Sequence, residues 1–138
     1  MSGAIFNNVG RRMEQSIETS RRILVVDNDL KLLSIIQEYL ELYHYQVTTA
    51  ASGLDALRLL RSENYHVLIT DIVMPDICGL GLIEITRKEF PGLPVIAMTG
   101  YGKQVKNLTT ERSPDYYLEK PFNLAELSNA IESVLPKE

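Results

Sequence analysis

The sequence predicts a doubly wound α/β domain: one five-stranded parallel sheet with five helices distributed over its two faces. Three observations carry this. Short, β-branched apolar runs alternate with segments of helical period from about residue 21 to the end. The runs Ile23–Val26, Val67–Thr70 and Val95–Met98 lack a polar face, so those strands must be covered on both sides. The length of 138 residues, 45% of them hydrophobic, suits one domain with one sheet at its centre. Strands alternating with helices close into a parallel sheet through right-handed crossovers.

The elements follow in order. Ile23–Val26 is a buried strand that ends in acid. Leu30 to Leu42 places Leu32, Leu33, Ile36, Leu40 and Tyr43 at helical spacing. Tyr45 to Thr49 is rich in β formers and gives the second strand. Ser52 is a suitable N-cap for a helix running to Leu60. Val67–Thr70 is the third strand, and Gly79 to Phe90 is a helix stopped by Pro91-Gly92. Val95–Met98 is the fourth strand, followed by a weaker helical stretch from Lys103 to Thr110. Tyr116–Leu118 is a short fifth strand. The last helix runs from Asn123 to Leu135, with Glu126 placed to complete a capping box on Asn123.

Composition excludes several classes. A formal net charge of -4 argues against direct binding of nucleic acid, which depends on Lys and Arg neutralising phosphates. One cysteine, Cys78, permits no internal disulfide, suits a reducing compartment and reads as a semi-buried filler. No apolar run approaches the roughly 18 residues of a membrane span, and the N-terminus has no secretory leader. A cytoplasmic protein without membrane contact is expected. Residues 1–20 are polar, with Arg11-Arg12 near their middle, and read as a flexible extension before a domain at 21–138.

In such a sheet, ligands bind beyond the carboxyl ends of the strands. The first strand ends in Asp27-Asn28-Asp29, the third in Asp71 and the fourth in Thr99, and Lys120 follows the fifth. Each alone reads as a cap or turn residue. Together they bring two acids, a hydroxyl and a lysine to one edge. Crowded carboxylates resist joint ionisation unless a cation lies among them, and Mg²⁺ accepts one or two carboxylates plus phosphate oxygens. A carboxylate so surrounded can attack phosphorus. His44 and His66 lie away from this edge and read as structural, as do Tyr39, Tyr43, Tyr45 and Tyr65.

The stretches ILVVDND, LITDIVMPDICG, PVIAMTGYG and YYLEKPF resemble those of response-regulator receiver domains, in the same order, from about residue 21 onward. The resemblance implies a flavodoxin-like receiver fold and a phosphorylation-operated switch rather than a turnover enzyme. It implies Asp71 as phosphoacceptor, Lys120 as the lysine that contacts the phosphate and Thr99 as the switch hydroxyl. Tyr117 would be the aromatic that rotates inward. Asp27, Asn28, Asp71 and the Val73 backbone carbonyl would hold Mg²⁺, and the Lys120-Pro121 bond would be cis. The implied partners are a sensor histidine kinase or phosphotransfer protein and a downstream protein or output domain. The last helix could also mediate a homodimer.

Three departures from the family pattern qualify this. Asn28 stands where a second acid is usual, which should weaken Mg²⁺ binding by about an order of magnitude. Asp29 could compensate, unless its side chain caps the following helix. Ser113-Pro114 replaces a small Gly-Ala pair, and no output domain follows Leu135, as in a stand-alone receiver or a piece cut from a longer regulator. Two other functions fit parts of the pattern. A degenerate receiver would switch without phosphate, with Asn28 in its favour. A haloacid-dehalogenase-like phosphatase would use Asp27 as nucleophile and Asp29 as general acid, but it leaves DIVMPD without a role.

Overall fold

The computed structural model describes residues 20–100 and 110–136. Five strands, β1 (Arg22–Val26), β2 (Gln46–Ala50), β3 (Val67–Asp71), β4 (Val95–Thr99) and β5 (Tyr116–Glu119), form one sheet in the order β2-β1-β3-β4-β5. Every neighbouring pair is parallel, with Ile23 opposite Val67, Ile69 opposite Ile96 and Ala97 opposite Tyr117. The helices are α1 (Leu30–Leu42), α2 (Gly53–Ser62), α3 (Gly79–Glu89) and α4 (Leu124–Val134).

Alternation along the strands divides the core in two. Leu24, Val26, Leu68, Val95 and Ala97 pack with Ala56, Leu57 and Leu60 of α2 and with Leu82 and Ile83 of α3. Ile23, Val25, Val67, Ile69, Ile96 and Met98 pack instead with Leu33, Ile36 and Leu40 of α1 and Leu127, Ala130 and Ile131 of α4. Two helices on each face are what a doubly wound chain requires, and they explain why β3 and β4 are buried at every position.

Local chemistry sets the helix starts. The Asp29 carboxylate accepts the Lys31 and Leu32 N–H groups, and Ser52 Oγ accepts that of Asp55. Asn123 and Glu126 form the reciprocal capping box expected from their spacing. Helix α3 starts differently. Cys78 makes no side-chain cap, and it is exposed rather than semi-buried, because the loop turns it outward just before Gly79 enters the core. Of the fifth helix expected over 103–110, residues 103–109 lie outside those described, and Thr110–Arg112 is a 3-10 turn. Among the described residues, no helix is long and apolar enough to cross a membrane.

Candidate functional site

Parallel strands deliver their last residues to one edge of the sheet, and here that edge gathers the polar groups. Asp27 follows β1 and is only 1% exposed. Its Oδ1 accepts the Asp29 N–H at 2.8 Å, and its Oδ2 accepts the Lys120 ammonium at 2.7 Å. Asp71 closes β3, next to β1 in the sheet. Its Oδ1 accepts the Val73 N–H at 3.3 Å, and its Oδ2 lies 3.4 Å from Lys120 Nζ. One lysine thus spans two carboxylates whose positions in the chain are 44 residues apart.

The electrostatics follow from that crowding. Burial raises the Asp71 pKa above its ordinary value, and the charge of Asp27 raises it further. Lys120 and the Val73 N–H pull the other way without cancelling the rise. Lys120 is half-buried, which works against its charged form, yet the Asp27 and Asp71 carboxylates outweigh burial and its pKa is raised. The site holds a charged lysine beside a carboxylate that needs more positive charge than the lysine supplies.

Thr99 ends β4 and is 4% exposed. Its Oγ1 is buried and has no hydrogen-bond partner among the described residues, whereas its carbonyl accepts the Lys120 N–H at 2.6 Å. A buried hydroxyl without a partner costs about 1–3 kcal/mol, which makes Thr99 Oγ1 a candidate donor to a group bound in the cleft. Asp71, Thr99 and Lys120 line an open cleft of about 880 Å³ together with Asn28, Asp29, Val73 and the apolar Leu32, Ile72 and Phe122. Asp27 is not in the cleft wall and meets the site through Lys120. The Lys120-Pro121 peptide is cis.

Other residues singled out in the sequence fall elsewhere. Tyr117 is half-buried against the core on the α2 and α3 face and is not part of the cleft wall. Asp29 commits its carboxylate to the start of α1. His66 is at the opposite edge, where Nδ1 accepts the Arg22 N–H at 2.9 Å, and burial beside Arg21 and Arg22 lowers its pKa. His44 is in the turn after α1 with φ 71°. The Tyr39 and Tyr43 rings meet at a tilt of 56° with centroids 5.0 Å apart, and Tyr65 packs beneath the Arg22 guanidinium. Among the described residues no three His, Cys, Asp or Glu side chains cluster as a metal site. Sequence reasoning left the apolar wall of Leu32, Ile72 and Phe122 unassigned, since no spacing signal separates a cleft-facing apolar residue from a core one.

A parallel five-stranded sheet with two acids, a hydroxyl and a lysine at its carboxyl edge defines the class: a doubly wound α/β domain with a charged site at the ends of its strands. The family model described as the response regulator receiver domain matches residues 23–132, and the chain belongs to that family. It is 34% identical to a probable transcriptional regulator ycf27 of Guillardia theta over 126 residues, 91% of this chain and 49% of that protein. A relative of the same description from Cyanophora paradoxa is 34% identical over 83% of this chain. The chain spans about half the length of the curated relatives it matches. Among solved structures, the response regulator TrrA of Thermotoga maritima, in complex with Mg²⁺-BeF, superposes with a TM-score of 0.77 at 34% identity, covering 83% of this chain and 99% of that one. A CheY-like receiver domain of Methanospirillum hungatei gives 0.73 at 31% identity over 83% of this chain and 93% of its own. Receiver domains are signalling domains of two-component systems rather than classical enzymes.

Proposed function

We propose that this chain is a phosphorylation-operated switch and that Asp71 accepts the phosphoryl group. The observation that carries the reading is the convergence of Asp71, Thr99 and Lys120, from three different strand ends, on one cleft, with Asp27 from a fourth bonded to Lys120. An Asp71 carboxylate oxygen attacks the phosphorus of a phosphohistidine on a sensor kinase or phosphotransfer protein. A P–O bond forms, the P–N bond breaks, and its electron pair leaves with the imidazole. Lys120 brings a fixed positive charge to one phosphoryl oxygen, and the Thr99 hydroxyl, which has no partner among the described residues, donates to another.

The donor set suits Mg²⁺: two carboxylates, the Asn28 amide and the Val73 carbonyl, with Asp71 short of positive charge. Asp27, Asn28, Asp71 and Val73 would hold the ion, which when bound neutralises charge on the phosphoryl oxygens. With Asn28 neutral and Asp29 engaged as a cap, the binding is about tenfold weaker than an acidic pair would give.

The switch then works by population shift. Thr99 moves onto the phosphoryl group, the end of β4 follows, and Tyr117, half-buried on the adjacent strand, turns further inward. The altered surface around β5 and α4 meets a downstream protein or an attached output region, and α4 offers a face for a homodimer. Because the matched relatives are named transcriptional regulators, control of transcription is the output we favour, through a partner rather than through this acidic domain touching nucleic acid. Residues 21–138 form the switch unit in this reading, in the cytoplasm where its kinase would act; of the extension expected over 1–20, residues 1–19 lie outside those described.

Incubation with Mg²⁺ and acetyl phosphate, followed by mapping of the modified residue, tests the proposal. Label on Asp71, abolished by Asp71→Asn, is the expected result. Absence of label under all conditions would favour a receiver that works without phosphate. Label on Asp27 would favour the phosphatase chemistry, which fits the geometry poorly: Asp27 is buried against Lys120, and Asp29 is held by two backbone N–H groups.

A further inference from the structure

The loop that follows Asp71 is held at two points. Where it ends, the Gly79 N–H donates to the Ile72 carbonyl at 2.7 Å, which closes the loop on itself. In its middle, the Asp76 carboxylate reaches across to α2. There Oδ1 accepts the Gly53 N–H at 3.2 Å, and Oδ2 accepts the Leu54 N–H at 3.0 Å. Both belong to the amides that a helix leaves without internal partners at its start. Ser52 Oγ takes another, that of Asp55, at 3.1 Å. Helix α2 is therefore capped by two side chains, one its own and one supplied by the loop beside the phosphoacceptor.

The fit is close. A Cβ on Gly53 would lie 1.9 Å from Ile77 Cγ2 and 3.1 Å from the Ile77 carbonyl oxygen, so the loop and the helix start touch directly. The N–H donors, that of Leu54 foremost, keep the Asp76 carboxyl below the ordinary carboxylate range, so the clasp is made by an anion at the positive end of a helix. Val73, by contrast, has an exposed side chain, and among the described residues its N–H to Asp71 is the contact that ties it down locally. Nothing in the phosphoryl chemistry above uses Asp76.

We propose that Asp76 is a positioning residue: by clasping the start of α2 it fixes the loop that carries the Val73 carbonyl, and so sets the affinity of the site for Mg²⁺. The inference rests on the reading of Asp27, Asn28, Asp71 and Val73 as the cation site. Three residues of chain can reach at most ~10 Å, so releasing Asp76 frees Val73 to wander by an amount that matters to a metal requiring near-ideal geometry. Coupling is reciprocal: metal at Val73 tightens the clasp, and an ordered α2 start favours metal.

The test is a Mg²⁺ titration of the full chain, followed by amide NMR. In the wild type, Mg²⁺ is expected to shift the Gly53 and Leu54 amides as well as those near Asp71. Asp76→Ala should weaken Mg²⁺ binding about tenfold, the lower end of what loss of an outer-shell partner does, and should silence the Gly53 and Leu54 response. Asp76→Asn, which keeps one acceptor and the side-chain size, should weaken it about threefold, and it preserves the measurement should the alanine variant not fold. Ser52→Ala removes the other cap of the same helix without touching the loop, and should lower thermal stability while leaving Mg²⁺ affinity unchanged. The proposal is overturned if Asp76→Asn and Asp76→Ala bind Mg²⁺ like the wild type, a result that leaves the cation site itself intact. It is also overturned if Ser52→Ala weakens binding as much as Asp76→Ala, since fraying of α2 would then account for both. A wild type that shows no response to Mg²⁺ overturns it together with the cation site.

Discussion

Asp71 is pulled in two directions, and its surroundings make the balance readable in a titration. Burial and Asp27 raise its folded pKa above the ordinary 3.8, and Lys120 only partly offsets them. Above the ordinary value the unfolded chain ionises Asp71 more readily than the folded one. The folded state then holds more protons, and stability falls as pH rises through that window. Asp71→Asn removes this penalty. Thermal melts should show the variant gaining on the wild type as pH rises above the ordinary value, with the gap closing below it, where both side chains are neutral. A gap independent of pH would mean that Lys120 already satisfies the carboxylate. Asn28 supplies a second test at this scale. Asn28→Asp adds charge to the exposed side of the cleft and should tighten Mg²⁺ binding about tenfold, as read by titration. Unchanged affinity would remove Asn28 from the cation site. Asp27, Asp71, Thr99 and Lys120 were legible because each is a polar residue closing or following an apolar run. Asp76 was not, because its partners are backbone amides of a helix 22 and 23 residues earlier, which no spacing rule marks.

At the scale of elements, caps were largely readable and one start was not. Asn123 and Glu126 announce their helix by side-chain chemistry alone, and Ser52 does the same for α2. Helix α3 begins without a side-chain cap, and its entry depends on close backbone approach. A Cβ on Gly79 would fall 2.1 Å from the Asp71 carbonyl oxygen and 2.6 Å from Ile72 Cα. Backbone cannot give way there without moving Asp71. Gly79→Ala should therefore cost about 1–3 kcal/mol in urea unfolding and also slow labelling by acetyl phosphate. A stability loss with an unchanged labelling rate would show that β3 and α3 move independently. Cys78 illustrates the same limit: its sequence neighbourhood is apolar, but the turn that brings Gly79 inward leaves the thiol outside.

For the whole molecule, the sheet is a partition between two cores, and β3 serves both. Leu68 points to the α2 and α3 side while Ile69 points to α1 and α4, and both are fully buried. With helices on both faces, a cavity beside β3 has rigid walls and collapses poorly. Ile69→Ala should cost about 2–5 kcal/mol by urea denaturation, with the slope of the transition retained. A much smaller loss would mean that α1 or α4 slides in to fill the space.

The fold class was determined by the sequence itself, because period and burial are local properties: a strand without a polar face must be covered twice, wherever it lies. So were the identities of the residues that end each strand. Strand order and register were decided only by the tertiary structure, which places β1 between β2 and β3 and thereby sets Asp27 beside Asp71. The lysine bridge over both acids, the burial of the Thr99 hydroxyl and the Asp76 clasp on α2 depend on distances between segments far apart in the chain. Such distances arise from the packing of all the helices against one sheet, and no local pattern encodes them.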